Sequence, residues 1–213
     1  MDIAKNLKLI QDSLPKQLSL VAVSKTKPTS DILIAYSSGQ RIFGENKALE
    51  LAKKAEELPS DIQWHMIGHL QRNKVKYIVP FVSLIHGIDS IKLLKEVNKR
   101  AAKSKRVIDC LLQVHIAKES TKFGFNLCEI NQVILDSSEL KNIRITGLMG
   151  MATFTNDTKQ IEEEFKSLNT LFDSVKNETI SILSMGMSGD YKLAIQEGST
   201  MVRIGSAIFG KRN

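Results

Sequence analysis

The chain has 213 residues, 42% hydrophobic and 25% charged, with 30 Lys+Arg against 23 Asp+Glu and a formal charge of +7. That composition fits one soluble globular domain over 1–213, since two domains would each lie near the small-domain limit; two cysteines are too few for a disulfide framework or zinc site. The lysines are dispersed among acids rather than run together and only 6% of residues are aromatic, which argues against a nucleic-acid surface.

The N-terminal MDIAKNLKLIQDSL is a predicted helix. Charges interrupt each of its short apolar stretches, so it is neither a signal-peptide core nor part of a span of ~20 apolar residues, and a cytoplasmic protein with no membrane partner is expected. LSLVAVSK (18–25) is the first predicted strand, and Pro28 followed by Thr29 or Ser30 starts a helix that ends near Gly39. RIFGEN (41–46) is the second strand, followed by a helical stripe of Leu51, Ala55 and Leu58. IQWHMIGH (62–69) and SLIHGID (83–89) are the third and fourth strands, after which Leu94, Val97 and Ala101 mark another helix. VIDCLLQVHI (107–116) and IRITGLMGM (143–151) follow as the fifth and sixth. Ile161, Phe165, Leu168, Phe172 and Val175 then recur with helical period on an otherwise charged segment. TISILSMG (179–186) and MVRIGSAIFG (201–210) are the last two predicted strands, and no Ser/Gly linker or low-complexity tract divides the chain.

Near-continuous apolar strands alternating with helices imply a parallel sheet covered by helices. Eight such units and an extra N-terminal helix match a single (β/α)8 TIM barrel better than an open doubly wound sheet. The first strand is also not followed by the GxGxxG turn of a dinucleotide fold.

In such a barrel the chemistry gathers at the C-terminal ends of the strands. Lys25 ends the first predicted strand with the alternation parity of Val21 and Val23. If those valines face the lumen, its amine lies at the mouth, where an apolar floor and cationic neighbours favour the neutral form that attacks an aldehyde. The alternative is a solvated strand-end lysine. After the seventh strand, SMGMSGD (184–190) offers Ser188 as a helix N-cap with the Gly189 and Asp190 amides behind it. In the eighth, Gly205 permits close backbone approach and Ser206 adds a hydroxyl. Loops after strands seven and eight form the usual phosphate site of this fold, against which stands an ordinary capped helix. Arg203, in an otherwise apolar strand, must find acceptors; a structural carboxylate is one, and the ring nitrogen of pyridoxal phosphate is another that unites it with Lys25 and a phosphate cradle. His65 is a candidate for the pocket lining, whereas Trp64, Phe43, Met149 and Met151 read as packing residues and Cys110 as an inert mid-strand thiol. The histidines show no HExxH or HxH pair with a nearby acid, which makes a metal site a poor reading.

LVAVSKTKP (20–28), FGEN (43–46), WHMIGHLQRNK (64–74), KFGF (122–125), GLMGMA (147–152), LSMGMSGD (183–190) and GSTMVRIGSAIFG (198–210) together resemble the pyridoxal phosphate homeostasis proteins, which look like the barrel domain of alanine racemase. The likeness runs nearly end to end. It implies a pyridoxal 5'-phosphate (PLP) fold of type III, with Lys25 as Schiff-base lysine, Arg203 as ring-nitrogen partner, and Ser188, Gly205 and Ser206 as phosphate ligands. Asn46 and His65 fall in blocks lining the pocket. The family often has Tyr where this chain has Lys47, and Thr where it has Ser206, which keeps the hydroxyl.

The resemblance implies a cofactor-binding protein, not an enzyme, that buffers or delivers PLP to client enzymes and so affects amino-acid and keto-acid balance. The racemases carry a further domain whose tyrosine serves as second acid/base, and this chain is expected to end shortly after its eighth strand. Tyr36, Tyr77 and Tyr191 fall on predicted helices or their edges, so none is an evident substitute, and a monomer is expected. Two alternatives stand beside the carrier: an amino-acid racemase using Lys25 and His65, and a cofactor-free Schiff-base aldolase.

Overall fold

The computed structural model describes residues 2–119 and 123–210. Eight strands run in chain order: β1 (Ser19–Val23), β2 (Ile42–Glu45), β3 (Gln63–Met66), β4 (Leu84–Ile88), β5 (Ile108–Val114), β6 (Ile143–Gly150), β7 (Ile182–Ser184) and β8 (Met201–Ile204). Each pairs in parallel with the next, and β8 returns to β1 in the register Ser19 to Met201 through Ala22 to Ile204, closing the barrel. Closure decides for the TIM barrel against the open doubly wound sheet.

The helices are α1 (Ile3–Ser13), α2 (Thr29–Ser37), α3 (Ala48–Glu57), α4 (Val75–Ile78), α5 (Ile91–Lys103), α6 (Ile130–Asp136), α7 (Thr158–Val175), α8 (Tyr191–Gln196) and α9 (Ser206–Phe209). The predicted stripes account for their inner faces. Ile161, Phe165, Leu168 and Phe172 of α7 and Leu94, Val97 and Ala101 of α5 are buried against the barrel, while Val175 packs at its margin. The start of α7 is fixed locally by Asp157, whose side chain accepts the Gln160 N–H. Among the described residues no helix is long and apolar enough to cross a membrane.

Strand alternation sorts the core into two layers. Val21, Val23, Ile67, Leu84, Leu111, Met149 and Met201 fill the lumen, whereas Ala22, Phe43, Trp64 and Met66 pack outward beneath the helices. Phe43 and Trp64 meet at 6.0 Å between ring centroids, as packing residues should.

Of the strand boundaries that differ from the sequence expectation, two matter for the site. The run 201–210 is not one strand: pairing with β1 stops at Ile204, and the N–H groups of Ile208 and Phe209 turn back to the Gly205 carbonyl to start α9. A short, mostly apolar run is compatible with either a buried strand or a buried helix, and periodicity does not separate them. The first strand likewise ends at Val23, leaving Lys25 in the turn beyond it.

Candidate active site

At the C-terminal mouth of the barrel lies a cavity of about 570 Å³. Lys25, Asn46, Ser188, Arg203, Gly205 and Ser206 all border it. Thus six of the seven residues singled out from the sequence border one cavity, drawn from the turns after β1, β2 and β7, from β8 with Gly205 after it, and from the first residue of α9. The valine parity also holds, since Val21 and Val23 face the lumen and Val23 and Lys25 share the cavity wall.

His65 takes a different place. On β3, Trp64 and Met66 face outward and His65 faces inward, but Ile67, two residues further along the chain, reaches the cavity in its stead. His65 is buried one layer below, where its Nδ1 lies 3.0 Å from His86 Nε2. The other nitrogen of His86 lies 3.1 Å from Ser184 Oγ, and that oxygen accepts a 2.6 Å hydrogen bond from Arg203 Nη1. Arg203, Ser184, His86 and His65 thus form one buried chain of polar contacts. Burial pushes both histidines down, His65 to about 3, and His86 is lowered further by the nearby His65 and Arg203.

Arg203 is itself buried. Besides Ser184 Oγ it donates to the Ser184 carbonyl at 2.8 Å and, through Nη2, to the Gly150 carbonyl at 3.0 Å. These acceptors are neutral, which answers the expectation of a structural carboxylate. Burial lowers the guanidinium to about 10, opposed by Asp190, so it remains a cation at neutral pH.

Ser188 does not cap the helix that follows. Asp190 precedes α8, and its carboxylate accepts the Met187 N–H at 2.5 Å; Ser188 Oγ instead accepts the Gly205 N–H at 3.2 Å. The serine thereby joins the turn after β7 to that after β8. Gly205 sits close against β1: a Cβ there would stand 3.1 Å from the Val23 carbonyl oxygen and 3.2 Å from its Cβ, both tight contacts. Gly189 borders the cavity with open space where its side chain would be.

Several lining residues escaped the sequence reading. Met151, read as packing, lies on the wall, and Thr153, Phe154 and Asn156 extend it after β6. Phe154 is 96% exposed at this edge. Its loop is tied to α7 through Glu164, which accepts the Thr153 N–H at 2.6 Å and the Thr153 hydroxyl at 2.7 Å. A buried acid on the apolar stripe of α7 was the available signal. Lys122, in the KFGF block, lies outside the described residues. Cys110 is buried in β5, and burial raises its thiol well above the ordinary range.

Among the described residues, three cations, Lys25, Lys27 and Arg203, and one carboxylate, Asp190, border the cavity. That balance suits an anionic ligand. The family described as alanine racemase, N-terminal domain, matches residues 2–213. A pyridoxal phosphate homeostasis protein of Aquifex aeolicus is 39% identical over 197 residues, spanning 91% of this chain and 86% of that protein. The chain belongs to the pyridoxal phosphate homeostasis protein family. Its member from Escherichia coli is 34% identical over 228 residues, covering all of this chain and 97% of its own length. Among solved structures, PipY of Synechococcus elongatus with PLP bound is 33% identical, with a TM-score of 0.89 over 98% of this chain and 100% of PipY. The alanine racemase of E. faecalis superimposes with a TM-score of 0.81 at 16% identity over 99% of this chain and 58% of its own, a likeness of fold alone.

Proposed function

We propose that the protein binds pyridoxal 5'-phosphate as a Schiff base on Lys25 and acts inside the cell as a PLP carrier, buffering the cofactor or passing it to client enzymes. The observation that carries this reading is the convergence of Lys25, Ser188 and Arg203 on one cavity, in a family whose member PipY has been solved with PLP bound. The residues present fit the group. Lys25 supplies the amine, Arg203 a buried donor for the ring nitrogen, and Ser188, Gly205 and Ser206 the wall for the phosphate, with Asn46 beside them. An aldehyde on an electron-withdrawing ring is the chemistry PLP supplies; the Lys25 amine adds to its carbon, and water leaves. Because the guanidinium stays charged and donates, it favours an unprotonated ring nitrogen, which weakens carbanion stabilisation and fits holding the cofactor better than using it as an electron sink.

The racemase alternative loses its named base. His65 is separated from the cavity by a layer and has its basicity lowered to about 3, while two-sided proton transfer needs a group within hydrogen-bond reach. The carrier reading predicts no α-hydrogen exchange of amino acids above the rate with free PLP, followed by deuterium incorporation. The covalent assignment is tested by loading the protein with PLP, reducing with borohydride and mapping the adduct by mass spectrometry. A pyridoxyl group on the Lys25 peptide, absent in Lys25→Ala, is expected. A sugar adduct on Lys25 from the protein as purified would favour the aldolase, and a visible Schiff-base absorption unchanged in Lys25→Ala would refute the assignment.

A further inference from the structure

We propose that Lys54, acting with Glu50 and Glu45, is a positioning residue for Lys25 that clamps the backbone on both sides of it. The inference rests on the reading of Lys25 as the Schiff-base lysine, and it concerns three residues that do not border the cavity.

Lys54 stands on the inner face of α3, between Leu51 and Leu58 on the apolar stripe, and is 6% exposed. An ammonium has three N–H donors. Here one goes to the Ser24 carbonyl at 2.9 Å, one to Glu45 Oε1 at 2.8 Å and one to Glu50 Oε1 at 2.8 Å. Ser24 adds a hydroxyl bond of 2.6 Å to the same Glu45 oxygen. Glu50 Oε1 accepts the Thr26 N–H as well, at 2.7 Å. The two residues anchored in this way, Ser24 and Thr26, are the neighbours of Lys25 on either side.

The backbone shows why an anchor is required. Thr26 has φ of +65°, a left-handed conformation that a β-branched residue adopts only where its surroundings hold it. The bond from its N–H to Glu50 lies at that strained residue. Stability alone does not account for the arrangement. Burying an ammonium and a carboxylate is costly, and an apolar side chain at position 54 would simply continue the stripe of Leu51 and Leu58. One oxygen of the fully buried Glu45, Oε2, even lacks a hydrogen-bond partner among the described residues. What the cluster provides is a fixed link from the end of β1 to the end of β2 and to α3, made at the turn that carries Lys25.

The test compares Lys54→Met, Glu50→Ala and Glu50→Gln with the unmodified protein. Each is mixed briefly with PLP and quenched with borohydride, and the pyridoxylated fraction of the Lys25 peptide is followed with time; exchange of the Thr26 amide is measured without PLP. Lys54→Met and Glu50→Ala are expected to slow loading about tenfold or more and to expose the Thr26 amide, because small misplacements of a reacting group cost rate steeply. Glu50→Gln keeps an acceptor for the Thr26 N–H and is expected to restore loading to within about threefold. If Lys54→Met does not fold, Glu50→Ala, whose side chain is partly exposed, decides the matter. Unchanged loading and Thr26 protection in Glu50→Ala overturn the clamp. A wild-type protein that loads no pyridoxyl group on Lys25 overturns the underlying reading instead.

Discussion

Acidification from pH 7 to 5 is expected to destabilise the protein by about 2 kcal/mol through His65, with a further loss in the same direction through His86, before most carboxylates begin to titrate. In the unfolded chain both histidines take up a proton below about 6.5. In the folded chain burial lowers them, His65 to about 3 and His86 well below its ordinary value, so the unfolded state binds more protons throughout this interval. Stability therefore falls as pH falls, by about 1.4 kcal/mol per pH unit for His65, until its folded-state value is reached. Among the described residues no carboxylate is bonded to the pair to soften the effect: the partners of His86 are His65 and Ser184, and beyond Ser184 stands the cation of Arg203. Denaturant titrations at pH 7, 6 and 5 would show the slope, and His65→Asn/His86→Asn should remove most of it. NMR titration of the folded protein that placed both imidazoles near 6.5 would contradict the argument.

The same chain of groups shows which parts of the site could be read from residues alone. Lys25 and Arg203 stood out because each is a cation in or at the end of an apolar strand, where its presence demands a reason. Ser188 was legible as a hydroxyl in the right loop, but its true partner, the Gly205 N–H, lies in a different strand-helix turn and only closure of the barrel brings the two together. His65 was assigned the correct face and the wrong layer. Strand parity reports direction, whereas depth along the barrel axis depends on the stagger of neighbouring strands, which here pair Gly44 with His65 and His65 with Leu84. The end of β8 was lost because VRIGSAIF is mostly apolar, and its two polar residues, Arg203 and Ser206, do not mark the change of period. Lys54 was overlooked for the opposite reason, since a lysine on a helix reads as solvent-facing unless its place on the buried stripe is given weight.

Gly147→Ala is expected to destabilise the fold by about 3 kcal/mol or more, a larger cost than most small-to-large changes. A Cβ at this position would stand 1.8 Å from the Ile182 carbonyl oxygen and 2.6 Å from its carbon, both backbone atoms that no side-chain rotation can move aside. The contact follows from an irregularity in β6. Cys110 pairs with Ile145, but Leu111 pairs with Gly147, so Thr146 is passed over and the strand shifts register before continuing to Gly150. From Gly147 onward β6 is held against β7, matching Gly147 to Ile182, Leu148 to Leu183 and Met149 to Ser184. A methyl group wedged at the first of these pairs must separate the strands that present Gly150 and Ser184, the residues that anchor Arg203. Loss of stability should then be accompanied by a loss of guanidinium order at Arg203, measurable as faster exchange of its side-chain N–H groups in the folded fraction. Denaturant unfolding with a cost below about 1 kcal/mol would show that β6 and β7 can part without penalty, and that the tight approach at Gly147 does not set the position of Arg203.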